Sequence, residues 1–160
     1  MVRLVILVAI AGCAVDNPPA AAPALDRDAF RCTVQPVLAA RCAFGACHGT
    51  RARPFAIYAP GRERYQVGWD RPTAPITTTE LEANFGIASG FTTTTATGEA
   101  WLLAKPLAVA EGGYYHRGAD LYGAGDVFET RDDPGYRALA AWVGGATAAP
   151  ECTPITEVGP

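Results

Sequence analysis

The sequence predicts a mainly α, loop-rich fold in a single domain. Three segments carry the apolar spacing and end residues of helices, and the 13 prolines and 17 glycines indicate long loops at 49–75 and 86–131. About 135 residues follow the N-terminal segments, which is the usual length of one domain. The sequence contains no internal repeat, and its net charge of -3 gives no basic face for nucleic acid.

The first predicted helix has Asp28 as its N-cap and runs to Cys42. Apolar side chains recur at three- and four-residue spacing and form one face: Phe30, Val34, Val37, Leu38 and Cys42. Pro36 lies early enough in this segment that we expect it to bend the helix rather than end it.

Two further helices are predicted downstream. A weaker one begins at Thr79 and stops near Gly86. The clearest has Asp133 as its cap, Pro134 at its first position and a Gly-Gly pair at Gly144 after its end. Its apolar positions are Tyr136, Leu139, Ala140, Trp142 and Val143.

The most informative motif is Cys-Ala-Phe-Gly-Ala-Cys-His at 42–48, in which two thiols lead directly into a histidine. In c-type cytochromes, a cysteine pair ending in Cys-His attaches haem through two thioethers, and the imidazole binds the iron. The usual spacing has two residues between the cysteines, whereas this chain has four. We expect Gly45 to allow the extra bulge, because glycine adopts backbone angles that other residues avoid.

This motif predicts one haem c on Cys42 and Cys47, with His48 as the proximal ligand. The alternative is a small Cys42–Cys47 disulfide loop in which His48 binds nothing. A zinc site formed by the same three residues is a poorer interpretation, since no convincing fourth ligand lies nearby in the sequence.

The N-terminus has the order of a secretory signal peptide. A positive charge at Arg3 precedes the apolar run Leu4–Ile10, which is too short to span a bilayer, and small residues then lead to Cys13. The Ile-Ala-Gly-Cys ending resembles a bacterial lipobox. We therefore expect 1–12 to be a lipoprotein signal peptide, Cys13 to carry lipid, and the Pro/Ala-rich segment 13–25 to be a tether. The alternative for so short a signal is a disordered N-terminus.

Export would place the domain, 26–152, outside the cytoplasm on a bacterial membrane, in the periplasm or at the cell surface, with 153–160 as a tail. Covalent haem and disulfides both form on that side. If lipid and haem occupy the other three of the five cysteines, Cys32 and Cys152 remain for a disulfide. That bridge would stabilise the fold by about 4–5 kcal/mol in the chain-entropy model. The cysteine count is even with or without haem, so it does not decide between the two.

The order of the segments adds a family resemblance. Residues 30–49, with Val-Gln-Pro-Val-Leu before Arg-Cys and then His-Gly, resemble the cytochrome-c-like domains of exported bacterial proteins. The segments 101–107, 112–118 and 133–143 are similar to the back half of the same domains. The resemblance covers most of 30–145.

This resemblance implies a cytochrome c-like domain in which the N- and C-terminal helices cross. Phe30 or Val34 should then contact Trp142 or Leu139. The family's fold also supplies its distal ligand from the region before the last helix.

In this chain that region contains His116, within a glycine-rich loop. Met1 is the only methionine and would leave with the signal peptide, which excludes His/Met ligation. We therefore expect bis-histidine iron, or five-coordinate iron if His116 points away. Bis-histidine ligation implies a lower reduction potential than His/Met. The alternative for His116 is a hydrogen-bonded loop residue.

Other side chains could complete a haem pocket. Arginines are candidates for pairing with the propionates, although a solvated face is the simpler interpretation for each: Arg51, Arg53, Arg62, Arg64 and Arg71. Aromatic residues are candidates for the lining or for ordinary core: Tyr58, Trp69, Trp101, Tyr114 and Tyr115. No paired carboxylates, phosphate loop or nucleophile elbow indicates catalysis.

The function predicted from these features is that of an extracytoplasmic, membrane-anchored monohaem c-type cytochrome. It would transfer single electrons to or from a redox partner protein and would act as a carrier rather than a catalyst. The alternative is a haem-free, cytochrome-like interaction or structural lipoprotein, stabilised by disulfides Cys42–Cys47 and Cys32–Cys152. An enzyme would need a second subunit, because this chain has only one Cys-His motif.

Overall fold

A computed structural model of the chain describes residues 24–66, 72–116 and 126–148. This part is mainly helical, with 41% of its residues in helices and 4% in strand-like pairing, so the predicted α class is confirmed. None of its helices is long and apolar enough to cross a membrane. The signal peptide, Cys13, most of the tether, Cys152 and the tail lie outside the described residues.

The N-terminal helix is continuous but changes its winding. It consists of α1 (Arg27–Ala29), a π-helical turn (Phe30–Val34) and α2 (Gln35–Arg41). Pro36 has no N–H and crowds the carbonyl four residues earlier, which explains the wider turn just before it. The helix continues on both sides of this turn.

The predicted cap of this helix is wrong by two residues. Asp26, not Asp28, has the extended backbone of an N-cap, and its carboxylate accepts a 2.6 Å hydrogen bond from the Ala29 amide. Asp28 lies in the first turn, where a negative charge still favours the helix dipole. Asp26 and Asp28 are two residues apart, and the extended backbone at Asp26 makes it the N-cap.

The middle helix, α3 (Thr78–Gly90), is longer than predicted. Thr77 and Glu80 form a capping box at its start, one residue before the predicted beginning. The helix passes through Gly86, where we expected it to stop, because Ala88 beyond it is fully buried in the core. Burial of this turn outweighs the cost of a helical glycine, about 1 kcal/mol.

The C-terminal helix, α5 (Pro134–Val143), confirms the sequence prediction. Asp133 caps it by accepting hydrogen bonds from the amides of Gly135 and Tyr136, and Gly144 follows its last residue. Its buried side chains are Tyr136, Leu139 and Trp142.

Three aromatic rings join the N-terminal helix, α3 and α5. The Phe30 ring lies 5.3 Å from Trp142 and 5.4 Å from Phe85, measured between ring centres. The indole N–H of Trp142 also donates to the carbonyl of Asp26 at 2.9 Å. The predicted contact between Phe30 and Trp142 is therefore confirmed.

The segment predicted as a loop at 86–131 contains further short helices. These are α4 (Trp101–Ala104) and a 3₁₀ turn (Val109–Glu111). In the described residues, pairing of extended backbone is limited to two single bridges, Thr94 with Ala100 and Leu107 with Phe128. A four-residue helix is too short to show a periodic pattern, which is why the sequence did not reveal α4.

Candidate functional site

A cavity of about 700 Å³ opens beside the end of α2, and all four predicted haem residues line it. These are Cys42, Cys47, His48 and His116. Most of its wall is apolar, with contributions from Leu38, Phe55, Phe91, Trp101, Leu102 and Leu139. Its size and apolar character are those of a cofactor pocket.

The loop that carries the motif is closed on itself by backbone hydrogen bonds. The Cys47 and Gly49 amides both donate to the Phe44 carbonyl at 2.8 Å, and the His48 amide donates to the Cys42 carbonyl at 3.0 Å. This winding accommodates the four intervening residues and keeps both sulfur-bearing residues on the cavity wall.

Gly49 is the glycine that this loop requires. A Cβ there would lie 2.1 Å from the carbonyl oxygen of Ala43. The expectation for Gly45 was wrong, because it is not among the glycines with positive φ and a Cβ there would meet nothing within 4 Å. The extra length is absorbed by hydrogen-bonded turns rather than by an unusual glycine conformation.

Cys42 and Cys47 are free thiols, and Cys42 is buried whereas Cys47 is partly exposed. Burial, with a smaller contribution from Cys47, raises the pKa of the Cys42 thiol to about 12, and Arg41 opposes the rise. Cys42 is therefore a neutral thiol at pH 7. Cys32 is disulfide-bonded, and Cys152 of the predicted pair lies outside the described residues.

The ring of His48 is held in one orientation. Its Nδ1 lies 2.8 Å from the carbonyl oxygen of Phe55, and the Phe55 ring packs edge-on against it at 4.9 Å. A carbonyl only accepts hydrogen bonds, so Nδ1 carries the proton and Nε2 has a free lone pair. Burial lowers the pKa of His48 and outweighs the opposing effect of the Phe55 bond, which favours the neutral, metal-binding form.

His116 faces His48 with its ring centre 6.0 Å away and its plane inclined by 30°. This is a widely separated stacked arrangement of the two rings. The fold therefore brings the two imidazoles next to each other on the cavity wall.

The Nδ1 atom of His116 is buried without a hydrogen-bond partner. A buried polar nitrogen without a partner costs free energy, and such atoms commonly indicate a missing ligand or water. Burial and the nearby Lys105 lower the pKa of His116, whereas Asp126 opposes them. His116 is thus a neutral imidazole on the cavity wall.

Two hydrogen bonds to α4 and its C-terminal end hold the backbone that precedes His116. Lys105 at the end of α4 donates to the Tyr115 carbonyl at 2.6 Å, and the Tyr114 amide donates to the Ala104 carbonyl at 2.9 Å. A Cβ on Gly113 would lie 1.8 Å from the Leu107 carbonyl, so this loop also needs a glycine. The short helix α4 therefore positions His116.

Among the described residues, none of the arginines predicted to pair with the propionates lines this cavity. Arg64 is buried in an ion pair with Glu80, and Arg51 pairs with Glu63. The other two described candidates make different contacts: Arg53 donates to the Ala46 carbonyl and Arg62 lies over the Phe44 ring. Arg71 lies outside the described residues.

In the part of the chain that the structure describes, the cations on the cavity wall are Arg41 and Lys105. Arg41 directly precedes the first cysteine of the motif, and that adjacency was the one sequence signal that could have identified it. No local pattern indicated Lys105, since its place depends on how α4 packs.

Of the predicted aromatic residues that the structure describes, Trp101 lies on the cavity wall. Tyr114 packs on Trp101 at 5.2 Å, and Tyr58 pairs with Tyr65 away from the wall. Trp69 lies outside the described residues. The phenylalanines that form the wall were missed by sequence reasoning: Phe44, Phe55 and Phe91.

No trio of histidine, cysteine or acidic side chains within 24–66, 72–116 and 126–148 converges to hold a metal ion. This geometry does not favour a zinc site built from Cys42, Cys47 and His48. The side chains that the cavity brings together are the imidazoles of His48 and His116 and the thiols of Cys42 and Cys47.

Fold and site together define a mainly α domain with two thiols and two neighbouring imidazoles on one apolar cavity. Comparison with family models, curated proteins and solved structures gives no match for this chain. The function is therefore inferred from the site.

Proposed function

We propose that this protein is an extracytoplasmic, membrane-anchored monohaem c-type cytochrome that transfers single electrons. The observation that carries the proposal is the meeting of Cys42, Cys47, His48 and His116 on one apolar cavity wall, with the two imidazole rings 6.0 Å apart. His116 comes from a distant part of the chain, so local sequence cannot account for this meeting.

The residues present fit a covalently attached haem. Cys42 and Cys47 are free to form thioethers. His48 presents an unprotonated Nε2, and His116 has a buried Nδ1 without a partner. The cavity of about 700 Å³ falls within the volume range of cofactor pockets.

In this proposal Cys42 and Cys47 would hold the porphyrin through thioethers, and His48 and His116 would bind its iron. The haem, when bound, supplies a reversible one-electron change at its iron. The protein contributes orientation, exclusion of water by apolar walls, and two nitrogen ligands that favour a lower reduction potential than His/Met ligation. The fold proposed for this domain is cytochrome c-like, in keeping with the contact between its first and last helices.

The proposed location follows from the N-terminal sequence. Lipid on Cys13 would tether the domain to a bacterial membrane, in the periplasm or at the cell surface. A redox partner protein on the same side would exchange electrons with it. The disulfide at Cys32 suits an oxidising compartment.

The test is to express the chain together with a cytochrome c maturation system and to record its visible spectrum and intact mass. We expect a haem-sized mass increment and a low-spin spectrum, both abolished in a Cys42→Ser/Cys47→Ser variant. A colourless product with a Cys42–Cys47 disulfide would refute the proposal and support the haem-free interaction lipoprotein.

A further inference from the structure

We propose that Asn84 on α3 is a positioning residue for His48. It acts through segment 55–59, whose backbone bonds Asn84 at Tyr58 and the His48 ring at Phe55. The proposal concerns the orientation and protonation of the His48 ring, and it rests on the proposed function only where haem properties are measured.

The Asn84 side chain is fully buried and uses its amide completely. Its Oδ1 accepts from the Tyr58 amide at 2.9 Å, and its Nδ2 donates to the Tyr58 carbonyl at 2.7 Å. The second Nδ2 hydrogen goes to Oε1 of Gln35 at 2.9 Å, and Gln35 Nε2 donates to the same Tyr58 carbonyl at 3.3 Å. One side chain thus binds both backbone groups of Tyr58, as a neighbouring strand would.

The same segment holds His48 from its other end. The Phe55 carbonyl accepts the Nδ1 proton of His48 at 2.8 Å, and the Ile57 amide donates to the His48 carbonyl at 2.8 Å. Phe91, next to the end of α3, packs on the Phe55 ring at 4.9 Å. The segment is therefore fixed to α3 by Asn84 and Phe91, and it fixes His48 in turn.

This arrangement gives Asn84 a role beyond general stability. The bond from Nδ1 to a carbonyl sets which ring nitrogen is free to bind a metal and raises the basicity of that nitrogen. Without Asn84 the Tyr58 amide loses its partner and the Tyr58 carbonyl keeps only the longer bond from Gln35, so the Phe55 carbonyl three residues away is held less firmly. His48 would then populate the tautomer with its proton on Nε2, which cannot bind a metal through that atom.

The test uses the full-length, haem-free chain labelled with nitrogen-15 in its histidine rings. In the unaltered protein at neutral pH we expect the His48 nitrogens to report a proton on Nδ1. In Asn84→Ala we expect them to shift toward the mixed-tautomer values seen for free imidazole, while His116 provides an internal reference. Unchanged His48 signals in a folded Asn84→Ala protein would overturn the proposal.

Two further variants separate positioning from folding. Gln35→Met keeps the size of the buried side chain and removes one partner of Asn84, so a smaller shift in the same direction is expected even if Asn84→Ala does not fold. Glu80 lies on the same helix and is also buried, but its carboxylate bonds Arg64, Tyr65 and Thr77 rather than 55–59. Glu80→Gln should therefore lower stability without moving the His48 signals. The proposal would be wrong if the His48 nitrogen signals shifted as much in Glu80→Gln as in Asn84→Ala, or did not shift in Gln35→Met. Asn84 would then contribute to stability alone.

In protein carrying haem, Asn84→Ala should also shift the midpoint potential relative to Glu80→Gln. Failure of the unaltered chain to bind haem would refute the proposed function, while the nitrogen signals of the haem-free chain would still test the role of Asn84. The two failures are therefore distinguishable.

Discussion

His116 is the residue whose role most depends on the tertiary structure. Its ring faces His48 at 6.0 Å, and its buried Nδ1 has no partner. In the proposed function, both facts support His116 as a ligand of the haem iron.

We expect His116→Ala to convert low-spin iron to high-spin iron in the haem-loaded protein, because one axial ligand is removed. The visible spectrum measures this change. His116→Met is the matched control: it offers a different sixth ligand and should restore a low-spin spectrum with a higher midpoint potential. An unchanged spectrum in His116→Ala would exclude His116 as a ligand.

The two glycines of the motif loop provide a second comparison between single residues. Gly49→Ala forces a Cβ to within 2.1 Å of the Ala43 carbonyl, and backbone cannot move aside as a side chain can. We expect a loss of about 1–3 kcal/mol in unfolding free energy and poorer haem incorporation. Denaturant unfolding and the haem-to-protein ratio measure the two effects.

Gly45→Ala is the control, because a Cβ there meets nothing within 4 Å and its φ is not positive. Its stability should be unchanged or slightly higher, since alanine reduces the freedom of the unfolded chain. Equal losses in both variants would mean that the loop is not packed as described.

At the scale of elements, α3 organises the domain from its first turn. Glu80 caps that turn and accepts two hydrogen bonds from Arg64, at 2.7 and 2.8 Å, with both side chains almost fully buried. Arg64 also donates to the carbonyls of Pro72, Ala74 and Pro75. The backbone of 72–75, just before α3, is thus held by the guanidinium group of Arg64.

Removing the charge of Glu80 should be costly, because Arg64 would remain buried without its counter-ion. We expect Glu80→Gln to lower the unfolding free energy by about 3–5 kcal/mol at pH 7. Glu82 lies on the same helix as Glu80, and its exposed carboxylate pairs with Arg27 of α1. Glu82→Gln should lower the unfolding free energy by less than about 1 kcal/mol. Similar losses in the two variants would contradict a special role for the buried pair.

The pH dependence of this difference has a definite sign. Burial alone would raise the pKa of Glu80, but the hydrogen bonds from Arg64, Thr77 and Tyr65 outweigh it and hold the pKa below the usual 4.5. A carboxyl whose pKa is depressed in the folded state contributes its stability above the ordinary value and loses it as pH falls through the folded value. The stability gap between the unaltered protein and Glu80→Gln should therefore narrow below pH 4.5.

At the scale of the whole molecule, the proposal joins a tether, a domain and a cofactor. In the proposed function, lipid on Cys13 would attach the domain to a membrane. The tether at 13–25 would then leave the domain free to meet a partner.

Cys13→Ser should release the mature protein from membranes into the soluble fraction, because acyl chains supply about 0.8 kcal/mol per buried methylene. Fractionation after expression in a bacterial host measures the distribution. The haem spectrum should be the same as that of the unaltered protein, which makes it the internal control for folding. Retention of Cys13→Ser on membranes would contradict lipidation.

Features that depend on a few neighbouring residues were predictable. The limits of α5 followed from Asp133, Pro134 and Gly144, because capping acts within a single turn. The Cys-Cys-His motif identified three of the four proposed haem residues for the same reason. The contact of Phe30 with Trp142 was predicted only through the family resemblance.

Features that depend on packing between distant segments were not predictable from local sequence. The length of α3 is set by burial of Ala88, and the wall cations Arg41 and Lys105 are placed by how α2 and α4 each pack against α5. Local propensity is a weak term, and tertiary contacts routinely override it.

The facing of His48 and His116 shows the same division. Both histidines were predicted from the sequence as candidate ligands. Their separation of 6.0 Å arises because segment 55–59 holds the His48 ring and α4 holds the loop that carries His116. The sequence determines the chemistry of each side chain, whereas the distance between residues that are remote in sequence is determined by tertiary packing.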